Sequence, residues 1–399
     1  MTTRVQQGLK QGKAITSKRV NQLSPSGIRK FFDLLASMEG VISLGVGEPD
    51  YPTPQHICDA AISSIEKGYT MYTSNLGMPD LRQQLSQYLE DTYSLKYSPD
   101  NELLITVGVS EGVDLATRAL LNPGDEVILP DPCYVSYSSC VILAGGIPVT
   151  VPTHQKDNFE MRAADIEARI TAKTRAIIIG YPANPTGTVA TRENLLQIAK
   201  VARRHNLFVI SDEIYAKLVY GVEHNCFAAL PGIKANTILL GGFSKAYAMT
   251  GWRIGYAAGN NEILAAMTKI HQYTIMSAPT MGQVAATEAL RTGEDSVTEM
   301  VADYNKRRLF IVKGLNDIGL TCFEPRGAFY AFPSIKNTGM TSEEFASKLL
   351  TEEKVAVVPG SAFGECGEGY VRCCYATSLT DIEDALSRIK RFVGKCRSK

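Results

Sequence analysis

The chain has 399 residues, with 41 Lys plus Arg against 41 Asp plus Glu and 45% apolar residues. That length is enough for two domains around a large core, and the zero net charge with no basic stripe gives no electrostatic case for nucleic acid. No apolar run approaches the ~18 residues of a membrane span. The nine cysteines lack paired spacing and read as reduced thiols of a cytoplasmic protein, and the five histidines form no metal pattern.

In chain order, the first twenty residues carry Arg4, Lys10, Lys13, Lys18 and Arg19 and no acid. Without an apolar secretory core, they read as an arm that settles on a partner subunit. A helical pattern follows Pro25, with Ile28, Phe31, Phe32, Leu34 and Leu35 apolar. A short strand, Val41 to Leu44, then enters the turn Gly45 to Asp50. There Gly45 and Gly47 let the backbone approach a ligand, and free amides could hold a carboxylate; an ordinary glycine turn is an equal reading. Helices are expected over His56–Lys67 and from Pro79 onward, with Tyr69 to Thr73 between them. A tyrosine there, such as Tyr72, reads by itself as packing.

Glu102 to Val107 reads as a strand, Gly108 to Gly112 as a glycine turn and Val113 to Leu121 as a helix. A glycine turn opening a helix aims free amides and the positive dipole end at one spot, which suits a phosphate. Strand Glu126–Pro130 precedes Tyr134, with Tyr137 on the next helix as packing. The all-apolar run 175–179 reads as a parallel strand buried on both faces and leads to Asn184-Pro185-Thr186-Gly187. Leu207 to Ile210 then delivers Asp212 and Tyr215. A carboxylate ending a buried strand needs a positive partner, although helix capping competes for an Asp-Glu pair.

Strand Thr237–Leu240 ends at Gly241 and Gly242, with Ser244, Lys245 and Arg253 beyond. A lysine placed so is desolvated, its pKa falls, and its amine becomes nucleophilic toward a carbonyl. The serine hydroxyl and arginine fork are a natural pair for a phosphate. The rest reads as helices over 263–276, 283–290 and 296–315, strands over 327–332, 355–360 and 370–375, and a closing helix over 381–392. Arg372 lies on the last strand, and Phe329 and Tyr330 line a side-chain pocket or pack the core.

Gly241 to Gly255 resembles the cofactor-lysine motif of the class I and II aminotransferases, pyridoxal-phosphate enzymes of fold type I. The likeness runs from about Ile28 to Val393, with strong matches at Ile42 to Asp50, Asn184 to Gly187 and Ser211 to Tyr215. The resemblance implies an α/β fold with a large domain on a mainly parallel seven-stranded sheet (46–295), a small α+β domain (296–399), and residues 1–45 as arm and part of that small domain. It implies pyridoxal 5′-phosphate as cofactor and a homodimer with active sites at the interface.

By the same resemblance, Lys245 carries the cofactor and moves the proton, Asp212 faces the ring nitrogen, and Asn184 and Tyr215 face the ring oxygen. Tyr134 stacks on the ring; Ser110, Glu111, Ser244 and Arg253 hold the phosphate, with Tyr72 reaching across from the other subunit. The Glu111 carboxylate must then turn away, since like charges repel. Gly45, through its amide, with Asn184 and Arg372, holds the substrate carboxylate. The implied reaction moves an amino group between an aromatic or aspartate-type L-amino acid and a 2-oxo acid such as 2-oxoglutarate. N-acetyl-diaminopimelate transamination and a β-lyase reaction are the alternatives. No metal, nucleic acid or membrane partner is expected.

Overall fold

The computed structural model describes residues 15–23 and 38–397, so the helix expected after Pro25 lies largely outside the described residues. Strand β1 (Ile42–Ser43) is followed by α1 (Gln55–Glu66) and α2 (Pro79–Tyr93). Then come β2 (Leu103–Thr106), α3 (Gly108–Leu120), β3 (Glu126–Asp131), α4 (Ser136–Leu143) and β4 (Ile147–Pro152). The middle of the chain supplies β5 (Thr174–Gly180), α5 (Arg192–Arg204), β6 (Phe208–Asp212), β7 (Thr237–Gly242) and β8 (Gly255–Ala258). After α6 (Asn261–Thr274), α7 (Thr280–Thr292) and the long α8 (Glu294–Ile318), short strands alternate with helices. These are β9 (Tyr330–Ala331), α9 (Ser342–Glu353), β10 (Val355–Ala356), β11 (Val358–Pro359), β12 (Val371–Cys374) and α10 (Leu379–Arg397).

Strands β2 to β8 form one seven-stranded sheet in the order β2-β8-β7-β6-β5-β3-β4. From β7 to β4 all neighbours are parallel, and only β8 runs against its neighbours. The centre is Val/Ile/Leu-rich because helices cover both faces: Val209, Ile210, Ile177, Ile178 and Leu240 are fully buried. The chain is therefore an α/β protein with a mostly parallel sheet.

Two details depart from the sequence reading. Helix α3 starts at Gly108 rather than Val113, so the glycine turn is its first turn. The expected strand 355–360 is divided: β10 pairs in parallel with β1, while β11 pairs antiparallel with β12. The two halves belong to different sheets, and the chain passes from one to the other at the buried Val357.

The small sheet β11-β12-β9 is tied to the rest through the segment after β1. The Leu44 amide donates to Ala356 O (2.8 Å), and Leu44 O accepts from Cys374 N (2.7 Å). Further on, Asp50 accepts from Arg307 Nη1 (2.6 Å) and from Tyr304 Oη (3.1 Å), both on α8. Residues 44–50 are thus fixed at both ends.

Candidate active site

The strand register brings the site together. Gly180 on β5 lies opposite Asp212 on β6, and Asp212 lies opposite Leu240 on β7. The segments leaving these strands therefore open along one sheet edge, the edge where open α/β sheets bind ligands. A cleft of about 320 Å³ lies there, lined among others by Ser110, Tyr134, Asn184, Asp212, Tyr215, Ser244, Lys245, Arg253 and Arg372.

Asp212 is buried, with each carboxylate oxygen held by one donor. Tyr137 Oη donates to Oδ2 at 2.8 Å, and the Ile214 amide donates to Oδ1 at 3.1 Å. Burial pushes its pKa up to about 6, against the pull of those two hydrogen bonds. Lys245 donates from Nζ to the Gly47 carbonyl at 2.7 Å. Burial lowers its pKa to about 8; Cys374 and Glu48 act the other way, and Arg372 and Arg253 add to the lowering. The amine is thus partly neutral in ordinary buffers, as a nucleophile or base must be. Tyr215 shares a 2.7 Å hydroxyl contact with Tyr330, and burial holds its phenol well above the ordinary value, hence protonated.

The phosphate side is assembled from α3 and the turn after β7. Gly108 has φ +70°, a left-handed conformation that favours glycine, and a Cβ there would stand 2.6 Å from Arg253 Nη2, so the helix N-terminus lies close against the guanidinium. Arg253 Nη1 donates to Thr250 O at 2.8 Å. Ser110 and Arg253 are exposed at the mouth, and Ser244 is buried deeper. The Glu111 side chain points away from the cleft, as charge repulsion requires: Oε2 accepts from the Val107 amide (2.5 Å), and Oε1 meets Nδ1 of the fully buried His271 (2.6 Å).

Arg372 forms the opposite wall. Its guanidinium lies between the rings of Tyr330 (4.4 Å) and Phe363 (4.9 Å). Nη1 donates to Asn184 Oδ1 (2.9 Å) and Nη2 to Gly45 O (2.7 Å), while buried Nε has no partner. Gly45 therefore turns its carbonyl, not its amide, toward Arg372; the amide donates to Ser43 Oγ at 3.4 Å. Tyr72 stands outside the cleft, 82% exposed, in an apolar surface with Tyr69, Met71, Tyr273, Ile275 and Met276. Tyr330 lines the cleft, and Phe329 packs beneath Lys245, whose Nζ lies 5.8 Å from its ring centroid.

Sequence reasoning missed the Tyr137–Asp212 contact, treating Tyr137 as packing. Its spacing of three from Tyr134 was the available signal, since residues three apart at a helix start share a face. The Gly47 carbonyl facing Lys245 left no sequence signal at all.

A desolvated amine, a buried carboxylate and a serine–arginine group at a helix N-terminus are the groups that a phosphorylated pyridine aldehyde requires, and the residues present fit it. The chain belongs to the aminotransferase class I and II family, whose model matches residues 39–389. It is accordingly a pyridoxal-phosphate-dependent aminotransferase acting on amino and 2-oxo acids. It is 56% identical over 379 residues to the Bacillus subtilis protein named "Putative aminotransferase YugH", covering 95% of this chain and 98% of that one. An aspartate aminotransferase of Pyrococcus abyssi is 44% identical, with 94% and 98% covered. Among solved structures, an aromatic aminotransferase from Pyrococcus horikoshii superposes with a TM-score of 0.88 at 42% identity, covering 92% of this chain and 99% of that one.

Among the described residues no helix is long and apolar enough to cross a membrane, and no group of three or more His, Cys, Asp or Glu could hold a metal ion.

Proposed function

We propose that this cleft transaminates an aromatic or aspartate-type L-amino acid, with a 2-oxo acid such as 2-oxoglutarate as acceptor. The observation that carries the reading is the pairing, in one cleft, of the low-pKa Lys245 amine with the buried Arg372 fork, whose Nε is free. One group binds a carboxylate; the other acts at the carbon beside it. The aromatic or aspartate-type preference is drawn from the named relatives.

When bound, pyridoxal phosphate supplies a carbonyl that takes up the amino group and a ring that draws electrons from the substrate α-carbon. Lys245, Asp212, Asn184, Tyr215 and Tyr134 would hold its aldehyde and ring. Ser110, Ser244, Arg253 and the first amides of α3, including that of Glu111, would hold its phosphate. Arg372 exchanges its contacts with Gly45 O and Asn184 Oδ1 for the planar α-carboxylate, which a guanidinium grips in bidentate fashion. Lys245, neutral above about pH 8, would accept the substrate α-proton at Nζ and hold it for return as general acid. Tyr215, held protonated by burial, donates from its hydroxyl.

The exposed apolar surface around Tyr72 supports a homodimer in which Tyr72 reaches the partner's phosphate site. Its two segments are tied together, Asn75 Nδ2 to Met276 O and Thr280 Oγ1 to Met71 O, each at 2.7 Å, so the patch is preformed. Division of the chain at 45/46 and 295/296 follows the same reading, with the second boundary in the first turn of α8. Nine free thiols suit a reducing cytoplasm.

The test is a single-turnover screen of amino donors without acceptor. Release of one 2-oxo acid per site from aromatic or acidic donors is expected. Release of ammonia with the 2-oxo acid would instead indicate a lyase.

A further inference from the structure

Tyr137, the second residue of α4, crosses to the end of β6 and donates to Asp212 Oδ2, while the Ile214 amide holds Oδ1. The carboxylate is therefore fixed by one donor on each oxygen. Its approach depends on the neighbouring strand. Gly180 lies opposite Asp212 in the β5–β6 register, and a Cβ at 180 would stand 2.4 Å from Tyr137 Oη. Any side chain there would displace the hydroxyl. Burial pushes the Tyr137 phenol well above its ordinary value, so it acts as a donor and not as a competing anion.

We propose that Tyr137 is a positioning residue that orients the Asp212 carboxylate toward a ring nitrogen and stabilises it as an anion, through a passage kept open by Gly180. The proposal rests on the reading of Asp212 given above. The charged and titratable groups acting on Asp212 are Tyr137 from α4, Lys245 from the turn after β7, and Glu213 beside it; β5 presents only Gly180. Burial and Glu213 favour the neutral acid, and among the opposing contacts the Tyr137 hydrogen bond is the strongest.

Tyr137→Phe keeps the ring and its packing and removes only the donor. Apoenzyme is titrated with pyridoxal phosphate across the pH range around the Asp212 value of about 6. The midpoint of its pH dependence should move upward by about one unit, so the variant should bind roughly tenfold more weakly below pH 6 and about twofold more weakly at neutral pH. Titration of the ligand's own phosphate is the same for both proteins and cancels. In single turnovers the rate should fall while amino-acid KM stays unchanged.

Gly180→Ala should give the same signature with the tyrosine retained. An unmoved midpoint in both variants overturns the proposal, whatever happens to the rate. So does an undiminished Tyr137→Phe effect in an Asp212→Asn background, which would leave the role of Asp212 standing. If Asp212→Asn alone binds pyridoxal phosphate and turns over like the wild type, the reading of Asp212 fails and takes this proposal with it.

Discussion

The floor of the cleft hangs from β5, β6 and β7, parallel strands of seven, five and six residues, whereas the wall comes from β9, β11 and β12, of two, two and four. On the floor, each functional side chain follows its own strand closely: Asp212 is the last residue of β6, Lys245 lies three past β7, and Asn184 four past β5. Their positions are set by a sheet ladder buried on both faces. The wall's ladder is shorter: Arg372 sits on the central strand β12, opposite Val358 of β11. Arg372 is held by two aromatic rings and by bonds to Asn184 and Gly45, the very contacts a substrate carboxylate would take over. A rigid floor suits a permanently held cofactor, and a wall fixed by exchangeable bonds suits a substrate that comes and goes.

This contrast can be sharpened by substitution. Lys245→Ala on the floor should lower the single-turnover rate by roughly 10³–10⁴-fold and abolish borohydride trapping of pyridoxal phosphate at that position. In the wild type, the rate of that trapping should rise with pH through about 8, as the desolvated amine loses its proton.

On the wall, Arg372→Lys should cost roughly 10²-fold in kcat/KM, because an ammonium cannot grip a carboxylate in bidentate fashion. Pyridoxal phosphate affinity, read by fluorescence titration, should hardly change. An equal loss of cofactor affinity would erase the distinction between floor and wall.

Floor rigidity has a stability cost. The folded-state pKa of Asp212, about 6, lies above its ordinary 3.8, so the folded chain holds the extra proton between those values. Stability therefore falls as pH rises through that window, and above it the full burden, on the order of 3 kcal/mol, is in place. Asp212→Asn apoenzyme should accordingly melt higher than wild type at neutral pH, with the gain vanishing below about pH 4.

The smallest effect belongs to the wall's support. Thr341 caps α9 in a reciprocal box with Glu344. Thr341→Ala should lower stability by about 1 kcal/mol in denaturant melts and leave cofactor affinity unchanged.

The floor was also the more legible side in the sequence. Apolar runs such as 175–179 and 237–240 announce buried parallel strands, and the residues that matter follow them within a few positions. Where α3 begins was not legible, because Gly108 to Gly112 read as a turn until packing against Arg253 and Leu240 showed why a helix there needs glycine. The division of 355–360 between two sheets left no trace in its uniform apolar pattern, since partner strands are chosen by distant segments.

By itself the sequence determined the strand order along the chain, the identity of the amine, carboxylate and guanidinium groups, and the family they belong to. These follow from local periodicity and from short motifs whose spacing survives in one dimension. Only the tertiary structure decided what each group touches: Tyr137 on Asp212, Gly47 O on Lys245, Gly45 O on Arg372. Such contacts join residues 75, 198 and 327 positions apart, and nothing local records which side chains the folded core will press together.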